Sequence, residues 1–224
     1  MKHSSPHCKI PPDERPRERF AAHGASALTD AELVALIVGS GTRGASALDL
    51  ARNALAARGG LAALVSSREV SHGFGVARRA RLAAGVEIAR RAARETLSRQ
   101  NTLNSPEAVR DYLRLSLSTR ECEVFMALFL DSQHRLIAAE ELFRGTLAQT
   151  SVYPREIVKA ALARNAAAVI FAHNHPSGVA EPSRADELLT QSLKAALSLI
   201  DVRTLDHFIV AGGQVVSFAE RGLI

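Results

Sequence analysis

Apolar residues recur at helical spacing along the N-terminal part of the chain. In the stretch "LTDAELVALIVGSG", Leu33 and Leu36 lie on one face of a predicted helix, Thr29 and Glu32 have the spacing of a capping box at its start, and Gly39 is a typical stop. Two further stretches with helical spacing follow, and the last of them is rich in alanine and arginine. This part of the chain is therefore predicted to be all-helical.

The pattern changes after Ser105-Pro106, a pair typical of a helix start. Strands are predicted at "EVFMALFLD", "RLIAAEELF" and "AAAVIFAH", with helices between and after them. The last of these runs is apolar throughout, as expected of a central strand that is buried on both faces. A hairpin is predicted at "HFIVAGGQVVSF", turning at Gly212-Gly213. Strands interleaved with helices predict an α/β layered domain.

These patterns divide the chain into four parts. Residues 1–15 are polar, contain three prolines and predict a flexible tail. Residues 16–95 predict a small all-α domain, and residues 96–104 are polar and unpatterned, as in a linker. Residues 105–224 predict the α/β domain.

The composition is that of an ordinary folded chain, with 47% hydrophobic and 23% charged residues. No apolar run approaches the ~18 residues that span a bilayer, and the first residues lack the apolar centre of a secretory signal. The two cysteines, Cys8 and Cys122, are too few for a CxxC motif or a disulfide framework. We therefore expect a cytoplasmic protein with no membrane partner.

The net charge of +5 is concentrated in one segment. Residues 73–99 hold seven arginines against two glutamates, an excess equal to the net charge of the whole chain. The segment begins with a Gly-Phe-Gly turn, which resembles the hairpin of helix-hairpin-helix DNA-binding modules. Glycines let the backbone approach a phosphate, and arginines after such a turn contact phosphates rather than bases. The alternative is a helix with a solvated basic face. The predicted nucleic-acid contacts are Gly73, Gly75, Arg78, Arg79 and Arg81.

The candidate chemistry lies in "FAHNHPSGVAEPSRADE". His173 and His175 end a predicted strand, and side chains two residues apart point the same way, so both imidazoles can bind one ion. Asp186 can complete the set from the first turn of the next helix. Two histidines and a carboxylate leave a fourth zinc position open for water, as in catalytic sites. A plainer alternative is that Ser183 and Asp186 form only a helix capping box.

The spacing His173-x-His175, seven residues, Ser183, two residues, Asp186 resembles the JAMM signature of MPN-domain zinc hydrolases. With "FRGT", "YPRE", "LTDAELVALIVGSGT" and "GFGVARRARLAA", the chain resembles the RadC branch of that family over residues 14–224. The resemblance implies an MPN-like domain with a mixed sheet, one zinc per chain and cleavage of a peptide or isopeptide bond by metal-activated water. It also implies a glutamate base on an upstream strand and an oxyanion donor, which we assign to Glu123 and Ser183.

Several alternatives stay open. Glu121, Glu140 and Glu141 are other candidates for the base. Asp206 and His207 can support the site as a pair, although a histidine at a strand start is more often structural. The protein can also be a metal-dependent nuclease, or a DNA-binding protein associated with repair whose hydrolase site is vestigial.

Overall fold

The computed structural model describes residues 11–67, 69, 74–145 and 152–224. The chain forms two compact units, Met1–Ile88 and Ala89–Ile224. Within the described ranges, no helix is both long enough and apolar enough to cross a membrane.

The first unit is helical, as the apolar spacing predicts. Thr29 and Glu32 form the predicted capping box, and Gly39 ends that helix with a φ of 81°. A second capping box, of Ser46 and Asp49, starts the next helix. Buried residues from the successive helices, among them Val38, form one apolar core. The helices that begin in this unit are α1 (Pro16–His23), α2 (Asp30–Val38), α3 (Ala47–Arg58), α4 (Leu61–Ser66) and α5 (Val76–Arg99).

Helix α5 is continuous from Val76 to Arg99. Leu82 belongs to the core of the first unit and Leu97 to a core of the second. Residues 96–104, predicted as a linker, include the end of α5 at Arg99 and a 3-10 turn over Thr102–Asn104.

The second unit is built on a mixed sheet with the strand order β2-β1-β3-β4-β5 among the described residues. The strands are antiparallel except for β3 and β4, which are parallel. The predicted hairpin is present, and Gly212 and Gly213 both have positive φ, as its two-residue turn requires. The elements are α6 (Pro106–Leu117), β1 (Val124–Leu130), β2 (Leu136–Arg144), α7 (Pro154–Ala163), β3 (Ala168–Asn174), α8 (Arg184–Ser198), β4 (Arg203–Ala211) and β5 (Gln214–Ser217).

Both faces of the sheet are covered, which explains why β1 is apolar throughout and β3 is apolar up to His173. Alternate residues of each strand, such as Met126 and Ile170, face a core with α6. The intervening residues, such as Phe125 and Phe171, face a second core with α7 and α8. His173 continues the second series at the end of β3, so its side chain is on the α8 side of the sheet.

Candidate metal centre

The structure brings His173, His175 and Asp186 together. His173 is the last residue but one of β3. His175 directly follows the strand, and its backbone N–H donates to the Val210 carbonyl on β4 at 3.0 Å. Asp186 is the third residue of α8, whose first turn lies at the same end of the sheet. Residues from a strand end and a helix start thus converge because α8 packs on the face to which His173 points.

The spacing of the three side chains fits a tetrahedral ion. The Nε2 atoms of His173 and His175 are 2.9 Å apart, and Asp186 oxygens lie 3.4 Å and 3.6 Å from these two nitrogens. Ligands about 2.0–2.1 Å from a tetrahedral zinc are separated by ~3.3 Å. Two imidazoles and one carboxylate are also donors that zinc prefers, so the residues present fit the metal.

Hydrogen bonding directs a lone pair of His175 toward this point. The His175 Nδ1–H donates to the Val179 carbonyl at 2.8 Å, because a carbonyl oxygen can only accept. In the uncharged ring, His175 Nε2 then carries the lone pair and faces His173 Nε2 at 2.9 Å. Two nitrogens this close need either a proton or a cation between them.

Ser183 and Asp186 form the predicted capping box, and the box also holds the candidate ligand. The Ser183 hydroxyl donates to Asp186 Oδ2 at 2.6 Å, and the Ser183 backbone N–H donates to the same oxygen at 2.8 Å. Oδ1 is the oxygen nearer His173. The two alternatives drawn from the sequence are therefore compatible, since Oδ2 caps the helix while Oδ1 faces His173.

The electrostatics of the site keep His173 neutral and Asp186 ionised. Burial lowers the pKa of His173 to about 4, although Asp186 acts in the opposite direction. Burial alone would raise the pKa of Asp186, but hydrogen bonds from His175 and Ser183 hold it well below its ordinary value. A neutral imidazole and an ionised carboxylate are the forms that bind a metal.

Glu123 lies at the edge of this group. It precedes β1 by one residue and shares the face of Phe125, which pairs with His173 in the antiparallel ladder. If this antiparallel register is continued for two residues beyond the Phe125–His173 pair, Glu123 lies opposite His175. The pKa of His175 is raised, first by its hydrogen bond to Asp186 and to a smaller extent by the charge of Glu123. Glu123 is thus close enough to act on the same centre.

The other acidic candidates are placed differently. Glu121 is exposed. Glu140 accepts from Arg164 Nε at 2.6 Å, and the ion pair packs beside α7. Glu141 pairs with Arg120 and, in the ladder, with a β1 residue on the opposite face from His173. The geometry favours Glu123 among the four.

Asn174 fixes the Glu123 segment to β3. Its Oδ1 accepts from the Val124 backbone N–H at 2.8 Å, and its Nδ2 donates to the Cys122 carbonyl at 3.0 Å. The bonds hold the residues on both sides of Glu123. Asn174 therefore links the candidate base to the strand that carries the histidines.

The loop after His175 turns tightly at Gly178. The Gly178 backbone N–H donates to the His175 carbonyl at 3.1 Å, and Gly178 has a φ of 81°. The hairpin turn lies against it, because a Cβ atom at Gly212 would be 3.1 Å from the Gly178 carbonyl oxygen. This packing holds the loop that carries the chain from His175 to Ser183.

Comparison with known families accounts for both units. Residues 103–223 match the family described as the RadC-like JAB domain, and residues 8–80 match the UPF0758 N-terminal family. The chain belongs to the RadC-like JAB family. This confirms the predicted RadC membership and the α/β fold preceded by a helical region.

Curated relatives resemble the chain over nearly its whole length. A UPF0758 protein of Methylibium petroleiphilum is 59% identical over 219 residues, covering 96% of this chain and 99% of its own. A UPF0758 protein of Leptothrix cholodnii is 58% identical, with the same coverage. Membership of the RadC-like JAB family suggests a metal-dependent hydrolase or a role associated with DNA repair, and JAB domains typically bind zinc.

One buried histidine of the JAB domain had little support from sequence patterns as part of the site. His207 is fully buried on β4, and its Nε2 lies 2.9 Å from His173 Nδ1. Asp206 and His207 do form a pair, but through the backbone of His207 and not through its ring. The His207 backbone N–H donates to Asp206 Oδ1 at 2.7 Å. The His207 ring meets Thr190 instead, at 2.6 Å. No local signal links these residues, because β3, α8 and β4 bring them together.

The predicted nucleic-acid contacts lie in the other unit. Gly73 is outside the described residues, and Gly75 directly precedes α5. Arg78 donates to the Ser40 carbonyl at 2.9 Å, and Arg81 donates to the Val38 carbonyl at 2.7 Å. These two side chains therefore bind the end of α2, while Arg79 is half-buried. The Arg78 and Arg81 contacts give the two arginines a structural role that charge counting did not predict.

Proposed function

We propose that the JAB domain is a zinc-dependent hydrolase of peptide or isopeptide bonds, with zinc held by His173, His175 and Asp186. One observation carries the proposal: the side chains of His173, His175 and Asp186 converge at one end of the sheet, where the β1–β3 register also places Glu123 beside His175. This is the combination that metal-assisted amide hydrolysis needs, namely an open ligand set and a base beside it.

Each residue has a role that follows from its position. A zinc ion bound there would polarise the scissile carbonyl and lower the pKa of a water. Glu123 takes the proton of the attacking water on its carboxylate and passes it to the leaving nitrogen. Ser183 holds Asp186 through its hydroxyl. Donation by Ser183 to an oxyanion, its other predicted role, requires that hydroxyl to turn away from Asp186.

The site favours an amide over a phosphodiester substrate. Across the part of the chain that the structure describes, His173, His175 and Asp186 are the one group of histidine, cysteine or acidic side chains suited to a metal ion. Nucleases often use two ions about 3.5–4 Å apart to hold the attacking and leaving oxygens. A single-ion site with one adjacent carboxylate is the arrangement of a metallopeptidase.

The substrate class is tested by offering the zinc-loaded chain a library of fluorogenic peptides, isopeptide-linked lysines, and single- and double-stranded DNA. We expect cleavage of an amide bond that stops when zinc is chelated and returns when zinc is restored. Cleavage of DNA alone, with the same zinc dependence, would replace this proposal by the nuclease. Zinc-independent cleavage would contradict both.

We also propose that the N-terminal unit attaches the enzyme to DNA through the basic segment of α5. The proposal is supported by the arginine excess and by the position of Gly75, where an added Cβ would meet none of the described residues within 4 Å. Since Arg78 and Arg81 hold α2, Arg79 is the informative residue. Arg79→Ala should weaken binding to duplex DNA at low salt and reduce the slope of log affinity against log salt by about 1.

The control for this change is Arg135→Ala, which removes the same charge from the second unit. Fluorescence anisotropy with labelled duplexes of two unrelated sequences measures both variants. Equal affinities for the two sequences are expected, because phosphate contacts carry no base readout. If Arg79→Ala binds no worse than Arg135→Ala, the segment is only a solvated basic face.

A further inference from the structure

His207 occupies an apolar enclosure behind the candidate metal centre. Its ring lies 5.5 Å from the ring of Phe125, 5.9 Å from that of Phe171 and 4.7 Å from that of Phe218, measured between centroids. The residue has no exposed surface. A polar ring so enclosed is costly to bury unless both nitrogens are hydrogen-bonded, and a charged ring is costlier still. Both nitrogens are in fact bonded, to two different elements.

The direction of each hydrogen bond follows from its partners. The Thr190 hydroxyl donates its only proton to the Asp186 carbonyl at 2.6 Å, because a carbonyl oxygen cannot donate. Toward His207 Nδ1, also at 2.6 Å, the same hydroxyl must then accept. His207 Nδ1 therefore carries the proton, and Nε2 of the uncharged ring carries a lone pair.

That lone pair determines the tautomer of His173. His207 Nε2 accepts, so His173 Nδ1 at 2.9 Å must donate. The other nitrogen of His173, Nε2, then has its lone pair free, and this is the atom that lies 3.4 Å from Asp186 Oδ1. The series of bonds begins at the backbone of Asp186 and ends at the ring of His173, so it connects two of the three candidate ligands from behind.

We infer that His207, fixed by Thr190, is a positioning residue that holds His173 in the tautomer and orientation required to bind zinc. The inference rests on the proposed zinc centre. Partners of this kind typically contribute 10- to 100-fold to metal affinity. A purely structural role for His207 would instead affect the stability of the protein without changing its affinity for the metal.

The test compares zinc affinities of the full-length chain, measured by competition with a chromophoric chelator. His207→Leu removes the acceptor and should weaken zinc binding by ~10- to 100-fold. His207→Gln places an amide oxygen near the position of Nε2 and should recover most of that loss. Thr190→Val, which keeps the shape and removes the hydroxyl, should also weaken binding, whereas Thr190→Ser should not.

Thr204→Val is the matched control. It makes the same change at a buried hydroxyl that has no hydrogen-bond partner within the described residues. Zinc affinity should be unchanged in this variant. If His207→Leu is less stable yet binds zinc like the wild type, the inference is overturned. If His207→Leu does not fold, the test passes to Thr190→Val. A folded Thr190→Val variant with wild-type zinc affinity would also overturn the inference.

A second readout separates this inference from the zinc proposal. Imidazole ¹⁵N resonances of the metal-free wild-type chain report which nitrogen of His173 carries the proton. We expect protonation at Nδ1, and loss of that preference in Thr190→Val. If the wild-type chain shows this tautomer but takes up no zinc, the proposed function is contradicted, whereas the assignment of the His173 tautomer stands. A proton on Nε2 of His173 would overturn the positioning role whether or not zinc binds.

Discussion

Glu123→Gln is expected to keep its zinc and to lose hydrolysis by about 10²- to 10⁴-fold, the range supplied by a positioned proton acceptor. Glutamine has nearly the shape of glutamate but cannot accept the proton of water. Glu123 is outside the ligand set, so metal content should not change. The measurement is kcat on the cleaved substrate together with zinc content of the same preparation.

The matched control is Glu121→Gln, an identical change two residues away at an exposed position. Its activity should be close to that of the wild type. Glu140→Gln should lose part of its pairing with Arg164 and hence some stability, but not the chemistry. Normal cleavage by Glu123→Gln with an inactive Glu140 or Glu141 variant would move the base to another carboxylate while leaving the zinc site in place.

Local patterns predicted the elements of the fold well, because the signals for helix ends and buried strands lie within a few residues. The capping boxes at Thr29 and Ser183 start their helices where the spacing predicts. The apolar run of β3 is buried along its whole length. The polar stretch at residues 96–104 did not predict the end of α5 at Arg99, because polarity does not distinguish the exposed face of a helix from a linker.

The site was only partly predictable, for a physical reason. His173, His175 and Asp186 belong to one strand-loop-helix unit, so their convergence follows from local spacing. The choice of Glu123 over Glu141 depends on the face of the sheet, and the choice over Glu140 depends on the ion pair of Glu140 with Arg164. The sequence does not specify either. His207 meets His173 only because β3 and β4 are parallel neighbours.

The contacts of the arginines in the basic segment were also not predictable from the sequence. Its charge is visible in the sequence, but the use of each arginine is not. Arg78 and Arg81 satisfy carbonyl groups at the end of α2, which would otherwise lack partners. A high count of arginines therefore overstates how many are available to a polyanion.

Replacing both His173 and His175 with alanine is expected to abolish zinc binding. Asp186 alone would remain, and a single carboxylate cannot hold zinc against dialysis. Asp186→Asn should weaken binding less, since the asparagine oxygen can still approach the ion without a full negative charge. The matched control is His23→Ala with His134→Ala, which removes two histidines outside the site.

Zinc content after exhaustive dialysis, measured by elemental analysis of the wild-type chain and of the His173→Ala, His175→Ala variant, tests the zinc centre most directly. Circular dichroism first establishes that the variant is folded. The account predicts about one zinc per wild-type chain, as in the control, and essentially none in the folded variant. Equal zinc content in the wild type and the folded variant would contradict the assignment.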